Sequence, residues 1–503
     1  MPLRLFNTRT HTVEALRPLE PDHVRIYVCG LTPSAEGHLG HARSFLFFDV
    51  LRRYLENPRN GYRVTFVKNV TDIDDRSIAT AQREGTTYDI VVARYYDSFR
   101  ESMRILNVRE PDAEPYATHF IPQIVEMIGE LIASSHAYAS EDGVYYAVDT
   151  FPRYGALSGK QVDELLVGAR IAENEHKRDP LDFALWKFAK PGEPQWDSPW
   201  GAGRPGWHIE CSAMARALLG VPFDLHGGGY DLIFPHHENE IAQSEVLMPA
   251  PPMAEMWVHG GLLNFDGRKM SKSLGNFEPL SELLKRHDPL AIRLLFLQTG
   301  YRKPMNFTEE SIGAAKTALE RLRRGYAVLG GEIANPATVA AGGPVGLGVE
   351  AYETRFFDAL DDDMNTAGAL GVLFDLISGL SKHPDAAQRE GGAVLLHDAL
   401  QLFGLGPLIE RRVEAERSVE LDPALAQRLR ARLGDALSIA ADSSQPLNGE
   451  SSETIVQAVI DARAAARKNK DFALGDRLRD ALAAEGIALK DSKDGTTWTA
   501  AGA

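Results

Sequence analysis

The chain has 503 residues, a formal net charge of −16 and an apolar fraction of 44%. Such a length calls for several domains rather than one core, and the acidic balance argues against broad, non-specific nucleic-acid binding while leaving room for a local basic surface. No apolar run is long enough to cross a bilayer, and the N-terminal MPLRLFNTRTHTVEAL lacks the apolar core of a secretory signal. A cytoplasmic protein without a membrane partner is therefore expected.

In chain order, Val24–Cys29 (VRIYVC) is short, β-branched and aromatic and runs into Gly30, which reads as a buried strand ending in a loop. From about His41 to Leu55, Phe45, Phe48, Leu51 and Leu55 recur at helical spacing, and Tyr62–Val70 (YRVTFVKNV) reads as a second strand. Strand, loop, helix and strand make a βαβ unit, so a parallel sheet with ligands at the carboxyl ends of its strands is expected. Similar features return between about 205 and 265. After about Ile292 helical patterns dominate to about Arg324. The Gly-, Pro- and Ala-rich stretch 331–349 reads as a linker, residues 350–411 as helices, and the polar stretch 442–453 precedes a last small unit.

Four constellations carry chemistry. His38-Leu39-Gly40-His41 falls where the first strand's loop enters the helix, and two imidazoles beside a helix N-terminus suit phosphate oxygens, although helix-capping histidines explain the same four letters. Lys269-Met270-Ser271-Lys272-Ser273 follows a turn at Asp266-Gly267-Arg268. Two lysines and two hydroxyls in a loop suit a clamp on polyphosphate charge, where a solvated basic loop is the plainer reading. The only two cysteines, Cys29 and Cys211, join His236-His237-Glu238-Asn239-Glu240 as the third. On a helix His236 and Glu240 share a face, with His237 and Glu238 pointing elsewhere. Two thiolates, one imidazole and one carboxylate from Cys29, Cys211, His236 and Glu240 fit zinc rather than magnesium or calcium, though spacing alone does not find such a site. The fourth is His226-Gly227-Gly228-Gly229-Tyr230-Asp231. Its glycines let backbone approach a flat or charged ligand, and Asp231 is placed to hold an amino group or a ribose hydroxyl; a plain turn accounts for the glycines equally well.

HxGH and KMSKS together resemble the nucleotide site of class I aminoacyl-tRNA synthetases. The runs YVCGLTPSAEGHLGHARSF from Tyr27, NVTDIDD from Asn69, PWGAGRPGWHIECSAM from Pro199, DLHGGGYDLIFPHHENEIAQSE from Asp224 and GRKMSKSLGN from Gly267 resemble the cysteine-specific family. The likeness continues through DDDMNT from Asp361 to ARAAARKNKDFALGDRLRDAL from Ala462 and GIALKDSKDGTTW from Gly486, so it covers essentially the whole chain.

That resemblance implies an α/β fold, a Rossmann-like parallel-sheet catalytic domain with an inserted connective region, followed by an α-helical bundle and a small C-terminal domain. The implied boundaries are 1–115 and 201–265 for the two catalytic halves, 116–200 for the insertion, 266–330 for the KMSKS loop and stem-contact helices, 350–411 for the bundle and 425–503 for a tRNA- and anticodon-contacting unit. It implies ATP-dependent attachment of L-cysteine to tRNA(Cys), using one Zn2+ and ATP with Mg2+; apart from the resemblance, a monomer is expected. Zinc falls to Cys29, Cys211, His236 and Glu240. Catalysis falls to His38, His41, Lys269 and Lys272, and ATP binding to His38, Gly40, His41, Gly227, Gly229, Asp231, His259 and Lys272. Thr32, Trp207 and Asp231 are implied beside the bound cysteine, and Arg463, Arg467, Lys468 and Lys470 against tRNA. Ser34, where many members carry an aromatic residue, and Gly260, where an asparagine is frequent, depart from the pattern.

Chemistry gives the metal a purpose. Cysteine differs from serine by sulfur against oxygen, and shape alone separates them weakly. Zinc prefers thiolate, so it is expected to read the substrate sulfur rather than activate water, and no editing domain is needed. Three other functions compete: a ligase joining cysteine to an amino sugar as in mycothiol synthesis, a catalytically silent tRNA-binding paralogue, and a simple nucleotidyltransferase. The bundle and basic tail argue against the first, intact His38, His41, Lys269 and Lys272 against the second, and the zinc set against the third.

Overall fold

The structure, a computed structural model, describes residues 2–159, 176–250, 252–265, 267–269, 278–329, 348–408, 428–429, 432–433, 452–469, 471–492 and 495–500. The expected linker over 331–347, the polar stretch 442–451, Lys272 and Lys470 lie outside them, as do the side chains of Lys269 and Lys468. The chain folds as two compact units, Met1–Gly406 and Pro407–Ala503.

The first unit opens with an antiparallel pair, β1 (Arg4–Asn7) and β2 (Thr12–Ala15), and then builds the expected βαβ: β3 (His23–Leu31), α1 (Leu39–Leu55) and β4 (Arg63–Val70). β3 and β4 run parallel, with Ile26 beside Phe66. Helix α1 holds because its apolar stripe is buried, Phe48, Leu51 and Leu55 completely. Its N-terminus is capped by the histidines themselves: His38 Nδ1 accepts from Gly40 N at 3.1 Å and His41 Nδ1 from His38 N at 3.3 Å.

Helices α2 (Asp75–Glu84), α3 (Tyr88–Ile105) and α4 (Ile121–Ala133) follow. The strands β5 (Ala137–Ala139), β6 (Gly143–Tyr146), β7 (Phe183–Phe188) and β8 (Gly203–Pro205) form an antiparallel sheet of their own. The chain then returns through α5 (Trp207–Leu219) to β9 (Phe223–Gly229), a turn at Ile233–His237 kinked at extended Phe234, α6 (Glu238–Glu245) and β10 (Ala254–Gly260).

The central sheet has the order β10-β9-β3-β4, with all three neighbouring pairs parallel. β3 leads outward to β4 and β9 leads outward to β10 in the other direction. The order therefore reverses between β3 and β9, the crevice at which parallel α/β sheets take ligands. Cys29 stands near the end of β3 and Gly229 at the end of β9, so both face that crevice's mouth.

Beyond it, β11 (Leu263–Phe265) pairs with β12 (Arg268–Lys269) on one side and β13 (Met305–Phe307) on the other. Two helices, α7 (Leu280–Arg286) and α8 (Pro289–Leu297), lie between them in the chain, and the long α9 (Glu309–Val328) follows. The small strand β13 interrupts the helical run expected after Ile292; pairing to β11 holds its three residues extended. The helices α10 (Glu350–Asp361), α11 (Thr366–Leu380) and α12 (Ala386–Leu402) then pack around Leu360, Leu373, Leu376, Leu396 and Leu400.

The second unit is a helix pair, α13 (Ser452–Lys468) and α14 (Phe472–Ala484), with a hairpin β14 (Ile487–Ser492) and β15 (Gly495–Ala500). Val456, Val459, Ile460, Leu478 and Leu482 form its core with Leu429 and Leu433.

Candidate active site and metal cluster

A cavity of about 560 Å³ opens at the sheet crevice. His38, Gly40 and His41 line it from the start of α1, Gly229 and Asp231 from the end of β9, and Thr32 and Trp207 from the β3 loop and the start of α5. Ser34 and Gly260, the two departures from the family pattern, line it as well. The His38 and His41 rings stack 3.7 Å apart at 18°. Burial, and then His38, push the His41 imidazole well below its ordinary pKa, so the ring is neutral and can accept as well as donate. Arg76 on α2 adds a cation to the wall that the sequence motifs do not flag.

Not every glycine of the HGGG run reaches the cavity. A Cβ on Gly227 would lie 2.2 Å from Phe48 Cζ, so this glycine lets α1 seat on the sheet, and one on Gly228 would meet Leu232 and His237. Gly229 alone of the three lines the opening. His259 faces inward to His237 rather than into the cavity.

At the inner end of the cavity, Cys29, Cys211, His236 and Glu240 converge, each offering one ligand atom within 4.8 Å of the others. Cys29 Sγ lies 3.6 Å from Cys211 Sγ and 3.3 Å from Glu240 Oε1, and His236 Nε2 lies 3.1 Å from the same carboxylate oxygen. All four are buried. Burial and the neighbouring thiol and carboxylate push the Cys29 thiol well above its ordinary pKa, and burial pushes Cys211 up. Burial also works against the Glu240 carboxylate, yet the His226 imidazole hydrogen-bonded to it holds it below the usual range. So many soft and anionic donors, turned inward on one point with no buried cation among them, are the chemistry of a thiolate-rich divalent site. The set S₂NO fits zinc.

One expectation needs correction. Helical spacing predicts that His237 points away from His236 and Glu240. It instead reaches the cluster, with Nε2 3.3 Å from Cys29 Sγ. The reason is local: extended Phe234 (φ −137°, ψ 133°) breaks the turn before the α-helix, which begins at Glu238, and His237, three residues before Glu240, shares a face with that carboxylate as four-residue spacing does. Glu238 does point elsewhere, accepting from Ser158 N at 3.0 Å. His226, His237, Cys29 and Glu240 form a second quartet within the same 4.8 Å limit.

A shell of imidazoles fixes these groups. His226 Nε2 donates to Glu240 Oε2 at 2.9 Å, and His236 Nδ1 meets His208 Nδ1 at 3.0 Å, turning Nε2 to the cluster. Trp207 stacks on His236 at 4.2 Å and 22°. From Cys29 a chain runs outward through His237 to His259 (Nδ1···Nε2, 2.7 Å) and on to Thr8 Oγ1 (2.8 Å from His259 Nδ1). Burial drops His208, His236 and His259 to about 3 and keeps His237 well below its ordinary value, so these four rings are neutral. The sequence signals none of His208, His237 or Thr8 as partners, because their contacts join separate segments.

Of the lysine loop, the Lys269 backbone is paired with Asn264 in β12, while Lys272 lies outside the described residues. In the second unit Arg467 is exposed on α13, whereas Arg463, expected on the same basic face, is buried among the helices at 4% exposure. Among the described residues no helix is long and apolar enough to cross a membrane.

The fold is shared with class I aminoacyl-tRNA synthetases. A Mycobacterium tuberculosis methionyl-tRNA synthetase bound by methionyl-adenylate superposes with a TM-score of 0.54 at 16% identity, covering 80% of this chain and 94% of that one. The leucyl enzyme of Agrobacterium radiobacter, in a ternary complex with tRNA, gives 0.58 at 11% identity over 80% and 86%. Residues 15–317 match the class I (C) tRNA synthetase catalytic domain, 355–406 the DALR domain, and 453–498 the cysteinyl-tRNA ligase anticodon binding domain. Cysteine–tRNA ligases of Desulfotalea psychrophila and Methylococcus capsulatus are 43% and 45% identical, each over 99% of both chains. The chain belongs to the cysteine–tRNA ligase family.

Proposed function

We propose that the protein activates L-cysteine with ATP to cysteinyl-adenylate and transfers the cysteinyl group to tRNA(Cys), acting as a monomer in the cytoplasm. The observation that carries this reading is the meeting of Cys29, Cys211, His236 and Glu240 at the inner end of the cavity that His38 and His41 line. Full-length likeness to cysteine–tRNA ligases supports it.

In this reading Thr32, Trp207 and Asp231 hold the amino acid, and Asp231 takes its amino group or the adenosine. The substrate carboxylate attacks the α-phosphate of ATP, forming the acyl-phosphate bond as the bond to pyrophosphate breaks. His38 and His41, with Lys269 and Lys272 and the magnesium that accompanies ATP, steady the phosphate charge as it develops. Gly40 and Gly229 let backbone approach the nucleotide. A zinc ion held by Cys29, Cys211, His236 and Glu240 would supply a soft Lewis acid that takes sulfur in preference to oxygen, which separates cysteine from serine. The adenylate stays bound until a terminal ribose hydroxyl of tRNA takes the acyl group and AMP leaves. Residues 266–330 are assigned to the stem of the tRNA, and 425–503, with Arg467, Lys468 and Lys470, to the anticodon end.

The test is attachment of labelled cysteine to total tRNA by the purified, zinc-loaded protein with ATP and magnesium, with serine and an amino-sugar acceptor alongside. Charging by cysteine and not serine is expected. Cysteine-dependent pyrophosphate exchange without charging would point to the amino-sugar ligase, and loss of both to a silent tRNA binder.

A further inference from the structure

Arg43 follows the HxGH histidines by two residues, on the face of α1 turned into the protein, and is 5% exposed. Among the described residues it has no carboxylate partner. Its guanidinium is satisfied by backbone alone: Nη1 donates to Gly261 O at 3.1 Å and Leu262 O at 2.9 Å, and Nη2 to Gly300 O at 3.3 Å, Tyr301 O at 3.4 Å and Lys303 O at 2.6 Å. Burial lowers its pKa to about 10, which leaves it charged at neutral pH. A desolvated cation held only by carbonyl dipoles is an expensive arrangement for packing alone.

Those five carbonyls come from two segments that cross at one point. Gly261 N donates to Tyr301 O at 2.7 Å, and Met305 N to Leu262 O at 3.0 Å. A Cβ on Gly261 would stand 2.4 Å from Arg302 O, so the two backbones touch. From this crossing β11 departs, paired to β13 through Leu263 and Met305 and to β12 through Asn264 and Lys269. Gly260, Gly261, Leu262 and Leu263 line the same cavity as His38, Gly40 and His41. The crossing is also tied to α1 by Tyr301, whose ring stacks on Phe47 at 4.0 Å and 12°.

We infer that Arg43 is a positioning residue for the nucleotide side of the site: its planar fork fixes the hairpin that carries Lys269 at a set distance from the histidine helix. It touches neither substrate nor metal cluster. Lysine, a point charge with three donors, can serve part of this set, and glutamine, shorter, uncharged and with two donors on a single nitrogen, serves less of it. The inference rests on the adenylate-forming reading proposed above.

The experiment compares wild-type protein with Arg43→Lys and Arg43→Gln in cysteine-dependent ATP–pyrophosphate exchange, measuring kcat, KM for ATP, KM for cysteine, bound zinc and Tm. A displacement of about 1 Å across the site costs about 100-fold in rate. Arg43→Gln is therefore expected to lose about that factor in kcat/KM for ATP, with KM for cysteine and zinc content within about twofold of wild type, and Arg43→Lys to recover part of the loss. A folded variant with lowered Tm but unchanged ATP parameters would overturn the inference and leave a structural role. Equal losses in ATP and cysteine parameters, or loss of zinc, would overturn it too. If Arg43→Gln does not fold, Arg43→Lys decides by the same readouts. Absence of exchange by the wild-type protein would instead strike the adenylate-forming reading.

Discussion

The sulfurs of Cys29 and Cys211, 182 positions apart in the chain, lie 3.6 Å from each other, with Glu240 Oε1 3.3 Å from the first. That is far beyond a disulfide bond of about 2.05 Å. It is also a costly place for two ionised thiols and a carboxylate without a cation, since burial and the neighbouring Glu240 charge drive both thiols up. A shared divalent ion reverses that cost, because a coordinated thiol is deprotonated outright.

Replacing Cys211 by Ser is accordingly expected to weaken zinc binding by more than the 10- to 100-fold, roughly, that loss of an outer partner costs, and to raise KM for cysteine. Chelator competition gives the affinity and elemental analysis the occupancy. Wild-type occupancy and affinity in this variant would remove Cys211 from the ligand set. Stripping the wild-type protein with chelator should raise KM for cysteine in the same direction.

The chain from Cys29 to Thr8 makes a subtler prediction. A thiolate can only accept, so His237 must donate to it from Nε2 and accept at Nδ1. His259 then donates from Nε2 and accepts at Nδ1 from the Thr8 hydroxyl. Thr8→Val keeps the shape but removes the donor at the far end. Zinc affinity should fall by about tenfold, and in the cobalt-substituted protein the sulfur-to-cobalt absorption should shift. If neither affinity nor spectrum changes, the tautomers are held by something other than Thr8.

Two glycines should respond oppositely to the same change. A Cβ on Gly30 would lie 1.5 Å from Asn69 O, the backbone of the adjacent strand, so Gly30→Ala must pry β3 from β4. It is expected to lose more than about 3 kcal/mol or fail to accumulate. Gly129 sits inside α4 with nothing within 4 Å of its added Cβ. Gly129→Ala should gain about 0.5–1 kcal/mol from helix propensity. Denaturant unfolding of both reads the outcome, and a neutral Gly30→Ala would contradict the close strand approach.

These contrasts show which parts of the molecule are legible in the sequence. The βαβ unit is legible because its pattern is local: Phe45, Phe48, Leu51 and Leu55 mark the buried face of α1, which extends over Leu39–Leu55. The two cysteines are conspicuous by being alone. The inward turn of His237 is not legible, since it depends on a backbone kink at Phe234 just before the helix that carries Glu240. Nor are the partnerships of Thr8, His208 and His259, which arise where four segments meet. Charge misleads in both directions. Arg463 reads as surface on a basic helix and is buried, and Arg43 reads as an ordinary helix arginine yet gathers five backbone carbonyls.

Asp398 on α12 is half-buried, and burial, with the Glu353 charge beside it, raises its pKa from 3.8 to about 6. A carboxyl whose folded pKa is raised favours the folded state only while it is protonated. Stability is therefore lost as pH climbs from about 4 through about 6, because the unfolded chain ionises first. A shift of that size corresponds to roughly 3 kcal/mol if fully desolvated; partial exposure reduces the expected effect to about 1 kcal/mol. Asp398→Asn should thus leave stability unchanged near pH 4 and raise it by about 1 kcal/mol at pH 8, and Glu353→Gln should recover a smaller part of the same gain at pH 8. Denaturant midpoints for the three proteins at both pH values give the comparison. An equal gain at pH 4 and pH 8 would mean that packing, not the buried charge, sets the difference.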